Sequence, residues 1–298
     1  MKSIKIFICC HKQFNIEKMD FLAPIHVGAE NSLQLNYEFS DNIGDNISHL
    51  NKSYCELTAL FWAWKNYESE YYGLFHYRRY LILSKRMIND YKGNKYRIPY
   101  KIYKKPNLET LKRINDCNEE IQNLVEQYDI IMPIGENMHV TVYEHYISAI
   151  NHRRQDIDII VNIISKEFPQ YIEAMNKYLN GKYHYFGNIF ICNKEILDSY
   201  CKWLFTILAK YDEQKNITGY NEQEIRVDGY LAERLLGIYY TWLKDTNPNL
   251  RWAEVPRAHF EQLGNPKIIY YKKKIINIFL PPSSKSRMIA KKVKSKLK

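Results

Sequence analysis

Short apolar runs alternate with helical patterns along most of the chain. Ile4–Cys10 and residues 71–75 have the length and the β-branched or aromatic content of buried strands, and residues 24–28 form a second short run of this kind. Between the last two runs, apolar residues recur at helical spacing over residues 51–67. Such alternation is typical of an α/β sheet with helical crossovers, so the sequence predicts a mixed sheet flanked by helices.

The rest of the chain continues this alternation after one irregular stretch. Residues 84–107 are rich in Tyr and Lys, contain Pro99 and Pro106, and show no clean period, so we interpret them as an insertion or a mobile loop. The later patterns predict strands at residues 129–132 and 185–192 and helices at residues 108–128, 141–150, 156–168, 169–179, 195–208 and 229–243.

Charge divides the chain into two parts. From Lys267 to Lys298 there are eleven Lys or Arg residues and no Asp or Glu, which leaves 32 basic against 33 acidic residues elsewhere. A nucleic-acid-binding protein is expected to spread its basic patch over a folded face, so we expect no nucleic-acid partner. The sequence predicts one α/β domain over residues 1–265 and a basic tail over residues 266–298.

The tail has a helical period of apolar residues. Ile289, Val293 and Leu297 recur every four residues among lysines, a pattern of a helix that lies on an anionic membrane surface. A disordered basic tail that aids solubility is the alternative. The first residues are too short a run for a signal peptide, and no run approaches the ~20 apolar residues of a membrane span. The six cysteines form no C-x-x-C pair, which favours a reduced, cytoplasmic setting. Together with the basic tail, this setting predicts a peripheral place on the inner face of the membrane.

A histidine and two arginines follow the predicted strand at residues 71–75. His76, Arg78 and Arg79 stand where the carboxyl end of that strand should lie, and ligands of open α/β sheets bind outside such ends. Guanidinium groups suit phosphate or diphosphate, so the sequence predicts an anion site here. The alternative is that one arginine pairs with a carboxylate and the other is solvated.

These motifs together resemble a known bacterial family. The chain is similar to the capsular polysaccharide and exopolysaccharide glycosyltransferases long catalogued as a domain of unknown function. The resemblance covers roughly residues 1–260 and rests on motifs in a fixed order. They are GDNIS at 44–48, YCELTALFWAWKN at 54–66, HYRRY at 76–80, DIIMP at 129–133, YEHY at 143–146, NIFI at 188–191, YCKWLF at 200–205 and RVDGYLAERL at 226–235.

The resemblance implies a glycosyltransferase A-like fold and sugar transfer. We expect a hexose, pyranose or galactofuranose, to move from a UDP-sugar to a lipid-linked oligosaccharide in capsule, O-antigen or exopolysaccharide synthesis, with inversion at the anomeric carbon. Two alternatives stay open: a retaining transferase on the same fold, and a noncatalytic carbohydrate-binding assembly protein.

No metal cofactor is expected. Many enzymes of this fold hold a divalent metal with Asp-x-Asp at the strand end that HYRRY occupies here, and Arg78 and Arg79 could replace it as fixed cations. The Asp-x-Asp at residues 156–158 precedes a helical run, where carboxylates commonly serve as caps. His145 and His152 share a helical face but lack a third ligand, so we predict no zinc site.

Two groups of residues are predicted to bind substrates. For the donor they are Cys9, His11, Lys12, Asp45, Asn46, Asn51, His76, Arg78 and Arg79. For the acceptor they are His145, Phe186, Gly187 and Asn188. Local helix capping, including a capping box at Ser53-x-x-Glu56, is an alternative explanation for the segment at residues 44–56.

Two carboxylates are candidates for the catalytic base. Inverting transfer needs a group that takes the proton of the acceptor hydroxyl, and Asp or Glu is the usual choice. Asp228 stands at a predicted helix start, from which its side chain could project into the site, and Glu233 matches the family's Glu-Arg-Leu triplet. The structural alternatives are an N-cap for Asp228 and an ion pair with an arginine for Glu233.

Overall fold

The computed structural model describes residues 2–14, 16, 19–92, 99–104, 106–260, 279, 280, 286 and 289. The strands are β1 (Ile4–Cys10), β2 (Leu22–His26), β3 (Phe39–Ser40), β4 (Tyr71–His76), β5 (Arg79–Leu81), β6 (Tyr100–Tyr103), β7 (Ile130–Pro133), β8 (Glu136–Asn137), β9 (Tyr183–His184), β10 (Phe190–Asn193), β11 (Trp252–Val255) and β12 (Arg257–Phe260). The helices are α1 (Asn51–Tyr54), α2 (Leu57–Asn66), α3 (Lys85–Lys92), α4 (Leu108–Ile114), α5 (Asn118–Glu126), α6 (Val142–Ser148), α7 (Arg154–Glu167), α8 (Ile172–Leu179), α9 (Lys194–Gln214) and α10 (Val227–Thr246).

A mixed sheet runs through the centre of the molecule in the order β3-β2-β1-β4-β10-β7-β11. Strands β1 to β4 run parallel, whereas β10 is antiparallel to both of its neighbours. The register pairs Cys9 with His76 and Cys10 with His26, so the carboxyl ends of β1, β2 and β4 meet at one edge. The predicted mixed sheet flanked by helices is confirmed.

A tight hairpin leaves this edge. Tyr77 and Arg78 form a turn between β4 and β5, and β5 pairs with β12, which in turn pairs with β6. Residues 84–107, interpreted as an insertion or a mobile loop, thus carry regular structure in α3 and β6. The partner of β6 lies more than a hundred residues later in the chain, so no local pattern indicated the pairing.

Apolar side chains pack on both faces of the sheet. Along β1, Phe7 and Cys9 face one core, whereas Ile6, Ile8 and Cys10 face the other. The first core also takes in the buried faces of α2 and α7–α10. Alternation along a strand therefore fixes which layer each residue serves.

Helices α8 and α10 approach closely within the first core. A Cβ atom built on Gly237 of α10 would lie 2.0 Å from Cζ of Tyr178 on α8. Only the absence of a side chain at position 237 lets the tyrosine ring lie there.

Among the described residues, no helix combines the length and the apolar character needed to cross a bilayer. Apart from residues 279, 280, 286 and 289, the predicted basic tail lies outside the described residues. The amphipathic helix expected there stays a prediction.

Candidate functional site

Two cavities adjoin at the edge where β1, β2 and β4 end. The first, here named the β1 cavity, has a volume of about 640 Å³, and its lining includes Cys9, His11 and Asn51. The second, the hairpin cavity, has a volume of about 470 Å³ and is lined by Arg79 and by residues that follow β9. Both cavities are lined by Cys55, Glu56, His76, Arg78 and Arg226. We refer to these five residues as the junction.

Positive groups converge on the junction. Arg78 lies on the β4–β5 turn with its guanidinium against the Tyr77 ring, 4.9 Å from the ring centroid, and Arg226 immediately precedes α10. Nε of Arg226 donates a hydrogen bond to Sγ of Cys55 at 3.3 Å. Within the described part of the chain, Arg78, Arg79 and Arg226 form no ion pair with a carboxylate. Their donors are available to an anion.

The charges of these arginines also lower the pKa values of two nearby histidines. Burial, followed by Arg79 and Arg78, lowers the pKa of His76 well below its usual value. Burial, Lys12 and Arg78 lower the pKa of His11 as well. Both imidazoles are therefore disfavoured as cations, and an anion at the junction would relieve the repulsion among these groups.

A buried arginine supports the wall of the hairpin cavity. Arg257, on β12, pairs with Glu136 and donates to the carbonyl oxygen of Phe186 at 3.1 Å. Burial and the neighbouring Arg79 lower the pKa of Arg257 to about 9. The Glu136 carboxylate therefore supplies the negative charge that this buried cation needs.

The loop between β9 and β10 carries two residues with left-handed backbone. Gly187 has φ 94° and Asn188 has φ 48°. The N–H of Gly187 donates to Oε1 of Glu233 at 2.7 Å, and Nδ2 of Asn188 donates to Oε1 of Glu56 at 2.8 Å. The loop therefore positions two carboxylates of the hairpin cavity.

Of the two predicted base candidates, only Glu233 lines a cavity. Its Oε2 accepts a hydrogen bond from Nη1 of Arg234 at 2.8 Å, so the ion pair foreseen as its structural role is present as well. Glu233 therefore both faces the cavity and is held by a cation.

Asp228 lies behind the site. It is fully buried, accepts hydrogen bonds from the Ser53 hydroxyl and from Nζ of Lys215, and lines neither cavity. Burial raises the pKa of Asp228 to about 6, against the lowering effect of Lys215. The prediction that Asp228 projects into the site does not match this placement, because its carboxylate ties α10 to α1.

The predicted capping box at Ser53-x-x-Glu56 is wrong. The Ser53 hydroxyl bonds Asp228 and the carbonyl oxygen of Ile225, and Glu56 precedes α2 without a side-chain cap bond. Cys55 between them has φ 52°, which separates α1 from α2 and turns Glu56 toward the junction. A capping box does occur at the start of α6, between Thr141 and Glu144.

Several predicted donor residues lie outside the cavity linings. Lys12 is exposed, and Asp45 forms backbone hydrogen bonds with the Asn66 side chain. Oδ1 of Asn46 accepts a hydrogen bond from the N–H of Ser48 at 3.1 Å, which fits the alternative of local capping. The structure thus brings together Cys9, His11, Asn51, His76, Arg78 and Arg79, but not these three.

The predicted acceptor residues gather at the hairpin cavity. His145, Phe186 and Gly187 line it, and the His145 ring lies 5.5 Å from that of Phe186. Asn188 is buried behind the wall.

The Asp-x-Asp at residues 156–158 has structural partners. Oδ1 of Asp156 accepts from the hydroxyls of Tyr211 and Tyr220, and Asp158 pairs with Arg154. Among the described residues, no group of three or more His, Cys, Asp or Glu side chains is arranged to hold a metal ion.

Sequence reasoning missed several residues that line the site: Glu56, Glu136, Arg226, Arg234, Arg257 and His259. Glu56, Arg226 and Arg234 lie inside the motifs of the family resemblance, which could have singled them out. Arg257 and His259 lie on β12, for which no motif or pattern was found.

Comparisons with known proteins agree with this architecture. Residues 5–245 match a family described as a domain of unknown function, DUF4422. The apo structure of the bifunctional glycosyltransferase WbbM superposes with a TM-score of 0.80 and 32% sequence identity, over 87% of this chain and 45% of that chain. The present chain therefore spans less than half of that protein. None of the curated proteins matches the sequence.

Proposed function

The chain belongs to the DUF4422 family, and from this membership and its likeness to WbbM we propose that it is a glycosyltransferase that moves a hexose from a UDP-sugar to a lipid-linked oligosaccharide. The hexose is a pyranose or galactofuranose, and the product serves capsule, O-antigen or exopolysaccharide synthesis. The enzyme would work at the cytoplasmic face of the membrane, with the basic tail on anionic lipid.

The observation that carries the proposal is the junction. The guanidinium groups of Arg78 and Arg226 lie between the two cavities, at the carboxyl ends of parallel strands. Among the described residues, neither group has a carboxylate as an ion-pair partner. Ligands of open α/β sheets bind there, and paired guanidinium donors suit a diphosphate. The nucleoside would then occupy the β1 cavity, and the sugar and acceptor would occupy the hairpin cavity.

The arginines would supply the electrostatic part of catalysis. Negative charge grows on the diphosphate as its bond to the anomeric carbon breaks, and fixed cations stabilise that charge without reorganising. Transfer would invert the anomeric carbon and need no divalent metal. Glu233 would orient the acceptor through its carboxylate, which Gly187 and Arg234 hold in place.

A binding and transfer experiment tests this function. Full-length protein is titrated with UDP, GDP and dTDP and with their sugars, and transfer to a soluble oligosaccharide acceptor is followed with and without EDTA. We expect UDP-sugars to bind, the product to have inverted configuration, and turnover to survive chelation.

Other outcomes would contradict the proposal in separate parts. Binding of oligosaccharide but of no nucleotide would identify a carbohydrate-binding assembly protein. Retained configuration would identify a retaining transferase. Turnover abolished by EDTA and restored by manganese would show that the arginines do not replace a metal.

A further inference from the structure

Glu56 occupies a place that no other described carboxylate shares. It lines both cavities, whereas Glu136 and Glu233 line only the hairpin cavity and Glu222 lines only the β1 cavity. If the diphosphate lies at the junction and the acceptor in the hairpin cavity, Glu56 stands where the bond between them forms.

The carboxylates of the hairpin cavity differ in what holds them. Glu136 pairs with Arg257, and Glu233 takes hydrogen bonds from Arg234 and Gly187. Within the described part of the chain, the carboxylate of Glu56 forms no ion pair and accepts one hydrogen bond from another residue, the one from Asn188. An ion pair makes a carboxylate a poorer proton acceptor, and within the described part of the chain Glu56 is the one of the three that has no ion pair.

Asn188 fixes the direction of Glu56. Its side-chain amide donates to Oε1 of Glu56 and, at 3.1 Å, to the carbonyl oxygen of Gly229 on α10. Because Asn188 is buried and its backbone is left-handed, this amide is locked between the two acceptors. Among the described residues, the side-chain donor to Glu56 engages Oε1, which leaves Oε2 as the oxygen without a side-chain donor.

The surroundings also suit proton transfer near neutral pH. Burial raises the pKa of Glu56 and the charge of Glu233 adds to the rise, while hydrogen bonds from Asn188 and from its own backbone N–H and the charge of Arg226 oppose it. A general base is most effective when its pKa lies near the working pH.

We propose that Glu56 is the catalytic residue that takes the proton from the acceptor hydroxyl, an inference that rests on the proposed function. The acceptor oxygen forms a bond to the anomeric carbon as the bond from that carbon to the diphosphate oxygen breaks. The hydroxyl proton moves to Oε2 of Glu56, and the nucleoside diphosphate leaves with the electron pair. Glu233 then positions the acceptor and does not receive the proton.

The test compares Glu56→Gln with Glu233→Gln. We expect Glu56→Gln to lower kcat by about a hundredfold or more while its Kd for the donor stays within about threefold of the wild-type value. Glu233→Gln should act mainly on the KM of the acceptor. Glu213→Gln, at an exposed site on α9, serves as the matched control and should match the wild type.

The pH profile separates a base from a binding group. A base must be ionised to act, so kcat of the wild type should fall as pH drops through the pKa of Glu56 in the complex. The residual activity of Glu56→Gln should lack this acid limb. If Glu56→Gln does not fold, Glu56→Asp should keep the limb with a lower plateau, because it retains a carboxylate at greater distance.

The possible failures can be told apart. Wild-type protein that neither binds nor transfers any nucleotide-sugar overturns the proposed function itself. A wild type that transfers sugar while Glu56→Gln keeps kcat within about threefold, or keeps the acid limb, overturns only the role of Glu56. A sugar bonded covalently to Glu56, with retained configuration, would also overturn it.

Discussion

Arg78 and Arg226 reach the junction from distant parts of the chain. One lies on the turn after β4, and the other lies next to the first residue of α10. Arg78 is exposed and Arg226 is half-buried, and neither forms an ion pair with a carboxylate among the described residues. Their positive charges are therefore available for ligand binding.

We predict that Arg78→Ala and Arg226→Ala each weaken UDP binding by about tenfold or more, since a hydrogen bond to a charged group contributes about 1.5–3 kcal/mol. Calorimetric titration of UDP against each variant measures the change. Arg113→Ala removes an exposed arginine of α4 and should bind like the wild type. If both junction variants bind UDP with wild-type affinity, these arginines are solvated charges and do not bind the nucleotide.

At single residues, the sequence indicated His76, Arg78 and Arg79 as cavity-lining residues but not the carboxylate beside them. His76, Arg78 and Arg79 stand out because three polar groups follow an apolar run. Glu56 was hidden by the Ser53-x-x-Glu56 pattern, which fits a capping box equally well. The left-handed backbone at Cys55 places Glu56 at the junction and not in a capping box. Non-glycine residues adopt such a backbone too rarely for it to be expected from sequence.

Among the helices, the contact of α8 with α10 depends on one missing side chain. Tyr178 fills the space over Gly237, and both helices contribute to the core that backs the hairpin cavity. Glycine inside a helix lowers the stability of the helix. At position 237 this loss is accompanied by closer packing of α8 against α10.

We predict that Gly237→Ala lowers the free energy of unfolding by about 1–3 kcal/mol, because overpacking outweighs the ~1 kcal/mol that alanine gains in a helix. Urea unfolding followed by circular dichroism measures the change. Ser165→Ala, at an exposed site on α7, controls for a small substitution in a helix. A higher midpoint for Gly237→Ala would mean that Tyr178 rotates away at no cost.

Element type was easier to predict than element pairing. The strands at residues 4–10 and 71–75 and the long helices α9 and α10 follow from periodicity. β5, β6 and β12 are three or four residues long, and they pair with one another across the chain, so their stability comes from tertiary contacts that no local window contains.

For the molecule as a whole, the alternation of strand and helix was sufficient to predict an α/β sheet flanked by helices, and the family resemblance added the glycosyltransferase A-like type. The strand order was not predictable, because β10 enters the sheet antiparallel between β4 and β7, and nothing in its four residues specifies that direction.

The charge of the whole chain leads to a prediction about location. Deleting residues 284–298 removes much of the basic excess, and each basic residue near an anionic membrane contributes about 1 kcal/mol to binding. We expect the truncated protein to lose binding to anionic liposomes in a sedimentation assay and to keep its turnover on a soluble acceptor. Liposomes of neutral lipid serve as the control, and equal sedimentation of both proteins with anionic liposomes would contradict the prediction.

The floor and the walls of the site are built differently. Cys9 and His76 are held in register by hydrogen bonds between β1 and β4, whereas residues 145–152 and 222–225 line the cavities from a helix end and from loops. Substitutions in those walls can alter the shape of the cavities without disturbing a single strand pairing. Under the proposed function, such substitutions would change the choice of sugar and acceptor while the strand ends and Arg78, at the proposed diphosphate site, stay in place.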